Sequence, residues 1–217
     1  MKPATDPLAQ LTEIRAIMER SSRFLSLSGL SGVGAGIVAL VGAGVGHFYL
    51  QKQYGPNGFL RLVDASAPER QQALPFLLGL AVAMIVLALV VALYFTRRRA
   101  VHEGRQLWDA PARRLLLSLA VPLVVGGLFS LALYLRGAAS FVVPGMLIFY
   151  GLALLNASKY TLDEIRMLGL TQLVLGLLAL VLPGWGLIFF AAGFGLGHIG
   201  YGLLMYNRYE RASQPTL

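Results

Sequence analysis

The chain has 217 residues, of which 57% are hydrophobic and only 13% charged, with a formal net charge of +8. A soluble domain carries about 25% charged residues, so the composition excludes an ordinary soluble globular domain. There is no cysteine, which excludes disulfides, thiolate catalysis and cysteine-ligated metals.

Residues 6–22 carry the pattern of an amphipathic helix. Asp6 can cap it, Pro7 suits the first helical position, and Leu8, Leu11, Ile14 and Met18 recur at helical spacing. The segment 1–23 is expected to be cytoplasmic, with this helix lying along the inner membrane surface; a partner-binding helix is the alternative.

Six apolar runs follow, at 24–50, 73–95, 115–135, 138–155, 165–182 and 185–206. Each reaches the roughly 17 residues that a helical membrane span needs. None alternates with the period of two that a membrane β-barrel requires, and a lone backbone in lipid satisfies its own hydrogen bonds only as a helix. The expected fold is an all-α membrane protein with a six-helix transmembrane domain over 24–206 and a short polar tail over 207–217. The first run is too long for a signal-peptide core and reads as a retained span.

Lysine and arginine set the orientation. With the N-terminus inside, only Lys52, Arg61, Arg70 and Arg136 fall outside, and the other fourteen of 18 fall inside. The positive-inside rule therefore predicts both termini in the cytoplasm. It also accounts for the net charge without nucleic acid.

In the external loop 51–72, Gly55-Pro56-Asn57-Gly58 is a turn signal and Ser66-Ala67-Pro68-Glu69 has the form of a capping box, so the second helix is expected to start ahead of the membrane. The same form recurs at Thr161-Leu162-Asp163-Glu164. The internal connector 96–114 carries Arg97, Arg98, Arg99, Arg113 and Arg114 around His102, Trp108 and Asp109. These arginines are the expected contacts for anionic lipid headgroups, beside their plain role in topology. Tight turns at Arg136-Gly137 and Pro183-Gly184-Trp185 make two antiparallel hairpins.

Small residues let helix backbones approach where no hydrophobic effect drives association. Gly29, Gly32 and Gly36 form one such stripe in the first span, and Gly193, Gly197 and Gly200 another in the sixth. Both are expected to be buried contacts, within the bundle or between copies. Gly29, Gly36 and their neighbours also match Gly169, Gly176 and theirs at an offset of 140, with a shorter match at Gly127. The literal GxGxxG at 195–200 follows no strand and is not a dinucleotide fingerprint.

Ionisable groups are nearly absent from the spans. His198 is the exception, about nine residues and so roughly 12–14 Å from the cytoplasmic end of its span. Ser28, Ser31, Thr171, Gln172 and Tyr201 stand at comparable depth. Together with His198 they form a candidate polar cavity open to the cytoplasm, since intramembrane polar groups often mark a pathway. The alternative is interhelical hydrogen bonding. His47 and His102 lie far from His198 along the spans, so no metal or haem site is expected, and no catalytic constellation or cofactor motif appears.

The stretches 19–40 (ERSSRFLSLSGLSGVGAGIVAL), 144–170 (PGMLIFYGLALLNASKYTLDEIRMLGL) and 193–211 (GFGLGHIGYGLLMYNRYER) resemble a family of small bacterial membrane proteins with no known activity. The resemblance implies a bacterial cytoplasmic membrane and assigns no functional residue. Two functions fit these features. The first is a non-enzymatic membrane scaffold or regulatory subunit, with the bilayer, a second copy or another membrane protein as partner. The second is a transporter or channel for a small neutral or amphipathic solute.

Overall fold

In the computed structural model, Phe24, residues 27–104 and residues 106–211 are described, and all their regular structure is helical. The predicted amphipathic helix over 6–22 lies outside the described residues. Among the described residues six helices are long and apolar enough to cross a membrane: α1 (Gly29–Tyr54), α3 (Ala67–His102), α4 (Ala110–Leu135), α5 (Ala139–Tyr160), α6 (Asp163–Val181) and α7 (Pro183–Glu210). A short helix, α2 (Gly58–Asp64), sits between the first two.

The ends of these helices depart from the hydropathy runs for local reasons. α1 begins at Gly29 rather than 24 because Ser28 is extended and the Phe24 backbone is tied elsewhere. The Phe24 N–H donates to the Tyr160 carbonyl at 2.7 Å, and its own carbonyl accepts from the Thr161 hydroxyl at 2.9 Å. α3 starts at the expected capping box, where the Glu69 carboxylate accepts from the Ser66 N–H at 2.9 Å and the Ser66 hydroxyl at 2.7 Å. It then runs 36 residues, about 54 Å at 1.5 Å per residue, well beyond a hydrocarbon core of about 30 Å. Most of the supposed connector 96–114 is thus helical, and the chain turns only after Gly104, at a φ of 63°. Asp109 restarts it as the cap of α4, accepting from the Ala112 N–H at 2.8 Å.

The second expected capping box does not form. Thr161 is spent on Phe24, Leu162 takes the cap position without a side-chain bond, and Glu164 turns to α7. The polar tail is likewise shorter than expected, because α7 continues as helix through Glu210.

α1 is the hub of one half of the bundle, flanked by α3 and α7, while α5 packs between α4 and α6 in the other half and α7 joins the two. α3 is peripheral, with only Ala73, Thr96 and Ala100 buried; its remaining apolar surface is the kind that lipid solvates. At the end of the bundle that carries Arg136, Leu50, Leu62, Ala73, Tyr134 and Ala139 form a core joining α1 to α5. There the Tyr134 hydroxyl donates to the Arg70 carbonyl at 2.7 Å, linking α4 to α3. α2 caps this core. Gly58 lies so close to the Leu50 carbonyl that no side chain fits, and the preceding Asn57 adopts the left-handed conformation that its short polar side chain tolerates. At the opposite end Phe24 is buried with Ala112, Leu115 and Ala157.

Candidate functional site

The glycines bring the helices into contact first. A Cβ on Gly29 would overlap the Gly202 carbonyl, and one on Gly36 would stand 2.6 Å from the Gly195 carbonyl oxygen. The expected stripe on α1 therefore meets α7 backbone to backbone, within one chain. The partner stripe on α7 differs from the expected one: Gly195, Ile199 and Gly202 face α1. Gly193 and Gly197 face α5 and α6 through Leu147, Gln172 and Leu168, and a Cβ on Gly200 would meet nothing within 4 Å. The reason is a stretch of π-helix at Ala191–Gly197. Its wider i→i+5 turn shifts the register, so residues that share a face on an α-helix separate here.

The matched glycines of the internal offset play like roles. Gly169 and Gly176 on α6 press against α5 at Gly151 and Ile148, as Gly29 and Gly36 press against α7. Gly127 has open space beside it and takes no part.

His198 follows the π stretch and is buried. Its Nε2 lies 2.6 Å from the Tyr150 hydroxyl and its Nδ1 3.3 Å from the Gly193 carbonyl oxygen. A carbonyl only accepts, so Nδ1 carries the proton in this arrangement, Nε2 presents its lone pair, and the Tyr150 O–H donates to it. Phe194 lies nearly parallel to the imidazole at 6.2 Å and packs against Tyr150 at 5.0 Å. Gln172, fully buried on α6, donates from Nε2 to the same Gly193 carbonyl at 2.9 Å. One carbonyl in the π stretch thus gathers side chains from α6 and α7, and through His198 reaches Tyr150 on α5.

The other predicted cavity residues do not join this group. The Thr171 hydroxyl bonds the Met167 carbonyl at 3.0 Å and lies 3.1 Å from the Tyr201 hydroxyl. Ser31 donates to the Ser28 carbonyl at 2.5 Å, and Ser28 donates to the Glu210 carboxylate at 3.0 Å. The six side chains therefore belong to three separate hydrogen-bonded sets. Two buried side-chain atoms have no partner among the described residues, Ser130 Oγ and Gln172 Oε1.

Glu210 is the centre of the third set. Its carboxylate accepts the Gly29 N–H at 2.5 Å, which makes a residue from the far end of the chain the cap of α1. Negative charge at a helix N-terminus is favourable. Arg99 completes the set: its guanidinium donates to the Leu27 carbonyl at 2.6 Å and to Glu103 at 2.8 Å, and lies 3.5 Å from Glu210. It therefore serves the joint between α1, α3 and α7, not a lipid contact as its run of arginines suggested. Arg97, Arg98, Arg113 and Arg114 are exposed at the same end, beside an exposed Trp108. A matching clip holds α7 to α6, where the buried Glu164 carboxylate accepts from Arg208 and Tyr209, each at 3.0 Å.

Tyr150 and Glu210 are the residues that the sequence pattern did not single out, while Arg99 and Glu164 take roles other than the expected headgroup contact and helix-start box. Tyr150 is hidden in an apolar run, and the acidic pair carried one available signal, since carboxylates at an otherwise basic end need cations or helix termini nearby. Among the described residues no group of three or more His, Asp or Glu is placed to hold a metal ion. No protein-family model, curated protein or solved structure matches the chain.

Proposed function

We propose that this multi-pass membrane protein is a non-enzymatic scaffold or regulatory subunit whose spans are packed and dry and whose arginine-rich end meets the anionic inner surface of a bacterial cytoplasmic membrane, both termini inside. The observation that carries the reading is that the polar side chains are hydrogen-bonded inside the bundle, His198 with Tyr150, Gln172 Nε2 with the Gly193 carbonyl, Thr171 with Tyr201 and Ser31 with the Ser28 carbonyl, only Ser130 Oγ and Gln172 Oε1 being buried without a partner among the described residues. A transport path through His198, Gln172 and Ser31 would have to break these bonds. The count of basic residues and the resemblance to small bacterial membrane proteins support the orientation and the compartment. Because the glycine stripe of α1 is occupied by α7, partners are left the exposed apolar flanks of the helices and the basic end.

The basic end offers the direct test. The purified protein, with Arg97, Arg98, Arg113 and Arg114 all changed to Gln, is reconstituted in mixed phosphatidylcholine and phosphatidylglycerol vesicles, and the phosphatidylglycerol motionally restrained by the protein is measured with a spin-labelled lipid. Each arginine near an anionic surface contributes about 1 kcal/mol, so the wild type should enrich phosphatidylglycerol and the variant should lose most of that enrichment. Equal enrichment in both would remove lipid contact from the proposed role.

A further inference from the structure

On the flank formed by α4, α5 and α6 lies a groove of about 250 Å³. Phe129 and Leu133 line it from α4, Phe141, Gly145 and Phe149 from α5, and Leu180 from α6. Among the described residues no charged side chain lines it. Its volume falls below the roughly 300 Å³ at which pockets for drug-sized ligands begin, and it is narrow because three helices converge there. Gly145 keeps it open. A Cβ at this position would already be in van der Waals contact with Ser130 Oγ at 3.6 Å, Leu133 at 3.8 Å and Phe129 at 3.9 Å, so a longer side chain would fill the space.

One charged group is aligned with it. Phe129, Leu133 and Arg136 follow at i, i+4 and i+7, the spacing that puts three residues along one face of a helix. Arg136 stands three residues beyond Leu133, about 4.5 Å further along the axis, where α4 leaves the membrane. It is exposed and has no acidic partner among the described residues. The combination is an apolar slot with Arg136 beyond its last α4 lining residue and the Arg70 guanidinium beside the adjoining Gly137.

We infer that this groove seats a segment of one acyl chain of an anionic phospholipid from the leaflet at the Arg136 end, with the lipid phosphate on the Arg136 guanidinium. Charge complementarity selects the headgroup, and the apolar lining takes the chain. The inference is independent of the scaffold reading and of which end of the bundle is cytoplasmic.

The test uses the full chain in nanodiscs of equal phosphatidylcholine and phosphatidylglycerol, with retained lipid read by native mass spectrometry after release. The wild type should keep one phosphatidylglycerol in preference to phosphatidylcholine by about fivefold, the equivalent of about 1 kcal/mol for one arginine at a headgroup. Arg136→Gln should keep one lipid but lose the preference. Gly145→Leu should lose the lipid, and so should Leu180→Trp, whose position on the exposed rim leaves the bundle packing intact; unchanged helicity and elution would show both variants folded. Changing Arg97, Arg98, Arg113 and Arg114 to Gln should alter nothing at this site. The inference is overturned if the wild type retains no lipid or both lipids equally, if Arg136→Gln keeps the preference, if the folded groove variants keep the lipid, or if the preference follows the four arginines at the other end.

Discussion

Gly202→Leu should prevent the bundle from accumulating in folded form, whereas Gly200→Leu, two positions earlier on the same helix, should be tolerated. A Cβ on Gly202 would stand 2.6 Å from the Gly29 carbonyl oxygen and 2.7 Å from the Val33 nitrogen. Both are backbone atoms of α1, and neither can rotate away as a side chain would. Overpacking typically costs about 1–3 kcal/mol, and here relief requires separating two helices, so a loss of about 3 kcal/mol or more is expected. Gly200 faces open space, and a leucine there adds apolar surface to a lipid-facing position. Thermal unfolding in detergent, followed by circular dichroism and by loss of the monodisperse peak, measures both. Equal damage from the two substitutions would mean that the register set by the π stretch is wrong.

Arg99→Gln should destabilise the protein far more than Arg98→Gln, although the two are neighbours in one basic run. The Arg99 side chain is only 10% exposed and the Glu210 side chain 15%. Removing one partner of a buried pair commonly costs about 3–5 kcal/mol, because the other charge is left uncompensated. This site lies at a membrane end, so the lower figure applies. The substitution also takes the donor from the Leu27 carbonyl and breaks the bond from Arg99 to Glu103. The double variant Arg99→Gln/Glu210→Gln should recover part of the loss, since a glutamine at 210 can still accept from Ser28 and the Gly29 N–H. Arg98 is exposed, and its replacement should shift the unfolding midpoint little. If the two single variants unfold alike, Arg99 is not the joint between α1, α3 and α7.

How much of this was legible depends on how far apart the deciding residues lie. The spans could be read directly, because a continuous apolar run in lipid has one solution and hydropathy finds it. The start of α3 was equally readable, since Ser66 and Glu69 form a local pair. At Thr161 the same local pattern failed, because the hydroxyl found the Phe24 carbonyl, 137 positions away in sequence, ahead of its own helix. The short helix α2 could not be read, since seven residues carry too little periodicity to distinguish from a turn-rich loop. The face of α7 could not be read either: Gly193, Gly197 and Gly200 align on an ideal α-helix, and only the π turn separates them.

The candidate site divides in the same way. That His198 and Gln172 are close was foreseeable from their similar depth in adjacent spans, but their common partner is a backbone carbonyl, Gly193, which has no signature in sequence. Ser28 and Ser31 stand at that depth only if the first span begins at 24. With α1 starting at Gly29, Ser28 sits at its cap and joins the ends of α3 and α7 through Glu210 and Arg99.

The central claim is that these polar groups are closed against water by the protein itself. The absence of cysteine allows single thiols to report on it. His198→Cys, Ser31→Cys and, as a positive control, Arg113→Cys would each be placed in inverted membrane vesicles and exposed to a membrane-impermeant maleimide. Rapid labelling is expected at 113 and protection at 198 and 31, with the near-isosteric Ser31→Cys guarding against disruption by the larger change at 198. Labelling of 198 and 31 at a rate close to that of 113 would mean a watery path from the arginine-rich end into the bundle, and would replace the packed scaffold with a conduit.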